Sequence, residues 1–244
     1  MQYNINTHKH LPCTICFSHS HPVKKGYPWE QFPLFVMNKS ISWTALWGFA
    51  ITQVPGVIAH IHNAWHRDTL RDKPMWLRNF LACRKQLGLV SLWFLAVHIV
   101  MSCLLFSIAY YDRFFEDKDD PKSKMTANGE SSFMFGSFGS CLYFVLGICS
   151  LPCVAEAMTR KQWGFVYGPV AWTALCFGTA HVMCQGIGVT WYKAPWSNAG
   201  NMPPITLISC LLPWVVIAFK AFQMIFVKIL NFSAKRKEVG GHWA

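Results

Sequence analysis

Two histidines sit where ionisable side chains are least expected. His98 lies near the middle of an apolar run over residues 87–111, just after the polar triplet Arg84-Lys85-Gln86, and His181 lies well inside a second run over residues 165–189. At about 1.5 Å of helical rise per residue, either run is long enough to cross a hydrocarbon core of roughly 30 Å. An imidazole at that depth is expensive, marks a functional site by default, and is the commonest metal ligand. Two imidazoles facing one haem iron would leave it no open position, so such a haem would carry electrons and not bind oxygen. The alternative is that each histidine hydrogen-bonds a neighbouring helix, as intramembrane polar side chains do.

The other candidates carry less. Cys13-x-x-Cys16 with His8, His10, His19 and His21 has the composition of a zinc cluster, but not the spacing of a finger. No apolar pattern there would fold around a metal, so an irregular polar tail is expected. His60, His62 and His66 fall at the polar end of the first apolar run, beside Trp65 and Arg67, and read as interfacial. Eight of the ten cysteines lie in or beside apolar runs, where cysteine behaves as a small hydrophobe. No G-x-G-x-x-G follows a strand-like segment and no P-loop is present; Gly186-Ile187-Gly188 is an isolated fragment. A nicotinamide-binding domain is therefore not expected in these 244 residues.

The elements that must position the histidines follow from composition and spacing. The chain is 53% hydrophobic and only 14% charged, which places it among integral membrane proteins. Its net charge of +11 would suggest nucleic acid in a soluble protein, but here most Lys and Arg stand at the ends of apolar runs, so no nucleic-acid partner is expected. Residues 1–40 are polar, irregular and interrupted by Pro12, Pro22, Pro28 and Pro33. Apolar runs over 43–61 (broken by Pro55-Gly56), 87–111, 133–154, 165–189 and 205–219 predict five spans. Residues 66–86 read as a basic loop in which Trp76 and Phe80 are spaced for a short amphipathic surface helix. Arg160 and Lys161 read as a tight polar turn, and the last run is expected to continue amphipathically past Lys228 into the basic Lys235-Arg236-Lys237 tail.

Loop charges orient these spans. Loop 62–86 holds Arg67, Arg71, Lys73, Arg78, Arg84 and Lys85, whereas loop 190–203 holds only Lys193. Positive-inside puts the first loop, the 159–163 turn and the C-terminus in the cytosol, and the acidic 112–132 loop (Asp112, Glu116, Asp117, Asp119, Asp120) outside. Lys24, Lys25 and Lys39 on the outer side run against that rule. His98 then stands about 14 residues, roughly 21 Å, above the inner boundary at Arg84. His181 stands at a compatible height in the outer half. Phe94 and Ser102 flank His98, and Phe177, Gly178 and Gln185 flank His181, with Ala174 two turns below. Small residues there would let a flat macrocycle approach, and aromatics would wall its faces.

A resemblance joins these features. Cys83-Arg84-Lys85-Gln86-Leu87-Gly88-Leu89, ending in Ala96-Val97-His98, resembles the signature of the six-transmembrane epithelial antigen of the prostate (STEAP) metalloreductases. Ser150-Leu151-Pro152, Phe165 and Thr179-Ala180-His181-Val182 are similar, without a gap, to that family's S-I-P … T-F-H-V segment. Asn38-Lys39, Pro55-Gly56, Trp76-Leu77, Pro203-Pro204 and Leu212-Pro213 match as well, so the likeness covers about residues 33–230.

The resemblance implies an all-α membrane protein, a helical bundle of the ferric-reductase-like transmembrane type, over 33–230, with tails at 1–32 and 231–244. It implies one haem b held by His98 and His181, with FAD at the inner leaflet held near Trp76, Arg84, Lys85, Gln86 and Trp163. It further implies electrons from NADPH passed to Fe(III) or Cu(II) outside, a trimeric assembly in lipid, and a plasma or endosomal membrane. The chain departs from the family in lacking its N-terminal dinucleotide domain and first membrane helix. Tyr167 replaces a glutamine near the flavin, Trp163 a phenylalanine and Arg160 a tryptophan. Haem alone cannot split a hydride into single electrons, so the expectation is an electron-carrying domain with no catalytic residue of its own, supplied by a separate NADPH/flavin donor or a full-length partner in a homo- or hetero-trimer. The alternative is a non-catalytic truncated subunit that assembles with family members and modulates them.

Overall fold

The computed structural model describes residues 32–66, 73–106, 111, 114–117, 120, 123–187 and 203–240. The Cys13/Cys16 and histidine-bearing tail, Arg67, Arg71, Asp112, Asp119, Lys193 and the aromatic loop after His181 lie outside the described residues.

Helix α1 (Phe32–His66) starts well before the expected run and continues through Pro55. The irregular reading of residues 32–40 is thereby corrected: Pro33 falls in the first turn, where a missing N–H costs nothing. Helix α2 (Met75–Leu105) begins at Pro74 and carries straight on through Arg84 to the His98 level. Residues 75–86 are thus its first turns and not a separate surface helix, because no Gly or Pro interrupts them. Helix α3 (Ala127–Cys149) begins six residues earlier than the apolar run, where the Thr126 side chain accepts from the Gly129 N–H. It stops before Leu151, which is held extended by the following Pro152 at the head of the short helix α4 (Pro152–Ala157).

Arg160 and Lys161 form no turn. They open helix α5 (Arg160–Phe165), where Thr159 and Gln162 make a reciprocal capping box. Helix α5 runs through a π-helical segment (Val166–Val170) into helix α6 (Ala171–Ile187), one apolar rod of 28 residues. Pro169 cannot donate to the ladder, and the register slips around it. Helix α7 (Ile205–Gly240) continues as far as the spacing predicted. Five helices are long and apolar enough to cross a membrane, as expected.

Helix α1 packs along α2 and α7, α3 packs along α6, and α6 closes against α7. In lipid such packing comes from close approach and from hydrogen bonds, since tails are as apolar as leucine. Gly139 supplies the approach between α3 and α6: a Cβ there would meet the Gly178 nitrogen and Phe177 Cβ, each at 3.2 Å. The core gathers Phe49, Ala50, Tyr143, Leu146, Ala171, Ala174, Leu175 and Val216, with Phe49 stacked on Tyr143 at 4.0 Å. Trp47 Nε1 donates to the Ser209 carbonyl of α7 (3.1 Å), and the Tyr143 hydroxyl donates to the Gly88 carbonyl of α2 (3.0 Å). Helices α2 and α6, which carry the two histidines, do not pack along one another among the described residues.

Candidate functional site

His98 and His181 stand at the same end of the bundle, on either side of that gap. Each is half-buried, and the two are neighbours. His98 Nδ1 donates to Asn38 Oδ1 at 2.7 Å. Asn38, 1% exposed on α1, in turn donates from Nδ2 to Ser102 Oγ (3.1 Å) and to the Tyr111 hydroxyl (3.2 Å). His181 Nδ1 donates to the Ser132 carbonyl of α3, also at 2.7 Å, while Ser132 Oγ donates to the His181 carbonyl at 3.2 Å. Gly136, one turn on from Ser132, makes room for the ring: a Cβ there would lie 2.6 Å from Nδ1 and 2.9 Å from Cε1.

These contacts test the fit of a haem. An imidazole that donates from Nδ1 keeps its lone pair on Nε2, and a ligating histidine nearly always has its other nitrogen tied in this way. Both rings meet that requirement, from helices that do not pack along one another among the described residues. Only three of the 31 residues of α2 (Leu77, Ser91 and Leu105) are buried. One contact opposes ligation: Gln185 Nε2 donates to His181 Nε2 at 2.9 Å, and this amide would have to swing aside for a metal. The residues present therefore fit the group.

The neighbours expected to open space do other work. Gly178 packs against α1, where a Cβ would meet Leu46 Cδ1 at 3.3 Å, and Ala174 is in the core. Ser102 belongs to the Asn38 network. Phe177 gathers Phe135 and Phe138 on α3, at 5.9 and 6.1 Å between ring centroids. Asn38, Ser132 and Gly136 are the residues that sequence reasoning missed. Only Asn38 carried a signal, as an amide at the head of a membrane helix.

At the opposite end, Arg84 is half-buried and donates to Gln53 Oε1 of α1 at 3.1 Å. Among the described residues no carboxylate pairs with it. It interacts electrostatically with Tyr167, which shares a hydrogen bond with Ser150 Oγ (2.8 Å) and stacks on Trp163 (3.9 Å, 25° between planes). Nearby on α7, Lys220 donates to Gln223 Oε1 at 2.7 Å. Of the five residues expected around a flavin, Arg84 and Trp163 join this cluster. Trp76, Lys85 and Gln86 do not: all three are exposed, and the Gln86 amide turns back onto the Ala82 carbonyl of its own helix. Among the described residues no group of three or more His, Cys, Asp or Glu converges on a metal position, so His60 and His62 join none.

No family model matches the chain. Curated proteins similar to it include three metalloreductases. Human metalloreductase STEAP2 is 25% identical over 222 residues, spanning 86% of this chain and 44% of that protein. Mouse metalloreductase STEAP2 is 25% identical and rat metalloreductase STEAP3 26% identical, each over 207 residues that make up 80% of this chain and 42% of the relative. The chain thus spans less than half the length of the curated relatives it matches. With five helices among the described residues long and apolar enough to cross a bilayer, it is an all-helical, integral multi-pass membrane protein with distant similarity to the STEAP metalloreductases.

Proposed function

We propose that this protein carries electrons across a membrane through a single b-type haem between His98 and His181. The observation that supports it most is the pair of neighbouring, Nδ1-anchored imidazoles on two helices that do not pack along one another among the described residues. A bis-histidine haem supplies one-electron transfer with no open coordination site. The protein's part is to hold both rings at fixed height and tautomer, to keep water out of the gap with the apolar walls of α2 and α6, and to bind the electron source at the other end. There Arg84, a cation with no carboxylate partner among the described residues, and the Trp163–Tyr167 stack would hold the diphosphate and ring of FAD. The relatives are named metalloreductases, which supports Fe(III) or Cu(II) on the non-cytosolic face as the acceptor. On this reading NADPH and its hydride chemistry come from a separate donor or a full-length partner, in a homo- or hetero-trimer.

The test is an optical spectrum of the purified protein in detergent, expressed with ample haem, oxidised and dithionite-reduced, beside His98→Ala and His181→Ala. The expected result is a sharp low-spin b-type reduced spectrum that is lost in both variants. If the intact protein shows no haem, electron transfer fails as the function and a non-catalytic, assembly-dependent subunit replaces it.

A further inference from the structure

We infer that Asn38 is the positioning residue that sets the electron donation of His98, and hence the potential of the haem; this rests on the reading above. The two imidazoles are supported differently. His181 donates to a backbone carbonyl, which no side-chain substitution can remove. His98 donates to a side-chain amide from another helix, so its acceptor is a matter of residue type.

The Asn38 amide is fixed in one orientation. Both Nδ2 hydrogens are spent, one on Ser102 Oγ of α2 and one on the Tyr111 hydroxyl beyond it, which leaves Oδ1 facing His98 Nδ1. Turned over, the amide would let both hydroxyls donate to Oδ1, but it would set Nδ2–H against Nδ1–H in any ring whose Nε2 serves a metal, so only one orientation suits a ligating His98. The side chain is 1% exposed, so no water substitutes for any of these bonds, and a polar group left unpaired there is costly. The Asn38–His98 bond therefore fixes the tautomer, with the proton on Nδ1 and the lone pair on Nε2, and limits rotation of the ring about Cβ–Cγ.

The acceptor's strength matters chemically. The more strongly the Nδ1 proton is drawn away, the more the ring resembles imidazolate, the more charge Nε2 gives to iron, and the more Fe(III) is favoured over Fe(II). A neutral amide oxygen at 2.7 Å lies between a carboxylate and the weak acceptor that would remain without it, Ser102 Oγ at 3.4 Å from Nδ1. Asn38→Asp should therefore lower the midpoint potential, and Asn38→Leu should raise it. Tyr111→Phe, which removes one of the two anchors of the amide, should move the potential in the same direction as Asn38→Leu but less.

The experiment is a spectroelectrochemical titration of the haem-loaded full chain in detergent for wild type and these three variants. Low-spin ferric electron paramagnetic resonance on the same samples reads the orientation of the imidazole planes, and haem transfer to apomyoglobin reads retention. Opposite shifts for Asp and Leu, with an altered g-anisotropy and faster haem loss in Asn38→Leu alone, are the expected result. Shifts of the same sign, or none, overturn the inference and leave Asn38 a packing residue, because lost packing has no reason to reverse sign between the two. Should Asn38→Leu fail to accumulate, Asn38→Asp decides: an unchanged or raised potential overturns the inference. A wild type without any haem spectrum instead removes the reading beneath it, which is a different result from an intact spectrum that Asn38 does not tune.

Discussion

The two ends of the bundle treat buried polarity in opposite ways. At the histidine end the groups around the two imidazoles are neutral and paired within the protein: two imidazoles, the Asn38 amide, three hydroxyls and the Ser132 carbonyl share hydrogen bonds of 2.7 to 3.5 Å, while the neighbouring Lys39 turns to the Phe35 ring. At the arginine end a guanidinium and an ammonium have only amide oxygens for hydrogen-bond acceptors, Gln53 for Arg84 and Gln223 for Lys220. A neutral network answers its own needs, with even His181 Nε2 facing the Gln185 amide. Two cations facing amides are solvated but not neutralised, so this end favours an anion from outside. The bundle thus separates an end of paired neutral groups from an end with two cations. The sequence distance from Arg84 to His98 sets their spacing at about 21 Å along α2.

The most damaging change at the histidine end should be one that touches no polar atom. Gly136→Ala would set a Cβ 2.6 Å from His181 Nδ1 and 2.9 Å from Cε1, closer than real contacts allow. The ring must tilt or α3 must withdraw, and the Ser132 carbonyl goes with α3. Overpacking of this kind costs about 1–3 kcal/mol. The expected outcome is loss of most of the haem per protein and a lower melting temperature in detergent, with Arg84-dependent flavin affinity untouched. Normal haem content in Gly136→Ala would mean that α3 does not fix His181, and the self-sufficient character of this end would be wrong.

The spans were legible because lipid demands long apolar helices, and residue counting measures those directly. Their boundaries were not. Residues 75–86 looked like a surface helix because charge and aromatics were read by composition, whereas helix continuity is set by the absence of breakers up to Leu87. Likewise Arg160-Lys161 looked like a turn by polarity, although Thr159 and Gln162 spelled a helix cap three residues apart. The histidines stood out by depth alone, and their sharing one level followed from counting along two helices. Their partners did not stand out. Asn38 lies 60 positions and Ser132 lies 49 positions from the histidine it holds, and nothing local marks such pairs. The flavin cluster was half legible: adjacency put Lys85 and Gln86 beside Arg84 in sequence, but consecutive helical residues point about 100° apart. Tyr167, read only as a departure from a family pattern, is the residue that joins Trp163 and Ser150 to Arg84.

At the arginine end the effect should be smaller and confined to the anion. Arg84→Ala removes the charge-assisted hydrogen bond it would give a diphosphate, worth about 1.5–3 kcal/mol, or roughly 10- to 100-fold in affinity. Titration of the detergent-solubilised protein with FAD, followed by quenching of flavin fluorescence, reads that loss. The dithionite-reduced haem spectrum should be unchanged, since Arg84 contacts nothing in the His98 network. A haem spectrum that collapses in Arg84→Ala would show that the two ends are one cooperative unit. Unaltered flavin affinity with an intact haem would show that the unneutralised charge is not a receptor.

The smallest effect separates the cluster's charge from its shape. Tyr167 does two things: its hydroxyl shares a hydrogen bond with Ser150 Oγ at 2.8 Å and reaches the Leu146 carbonyl at 3.5 Å, and its ring stacks on Trp163 at 3.9 Å. Tyr167→Phe removes the first and keeps the second. Ser150 Oγ retains the Leu146 carbonyl, to which it donates at 2.8 Å, so no buried group is orphaned and the cost should be about 1 kcal/mol or less. That predicts a small drop in melting temperature and near-normal FAD affinity, because an aromatic stack of this geometry depends on the ring faces and not on the hydroxyl. A loss of affinity as large as that of Arg84→Ala would instead make the hydroxyl a direct flavin contact. The arginine end would then recognise its ligand by a neutral hydrogen bond, as the histidine end does, and the contrast between the two would disappear.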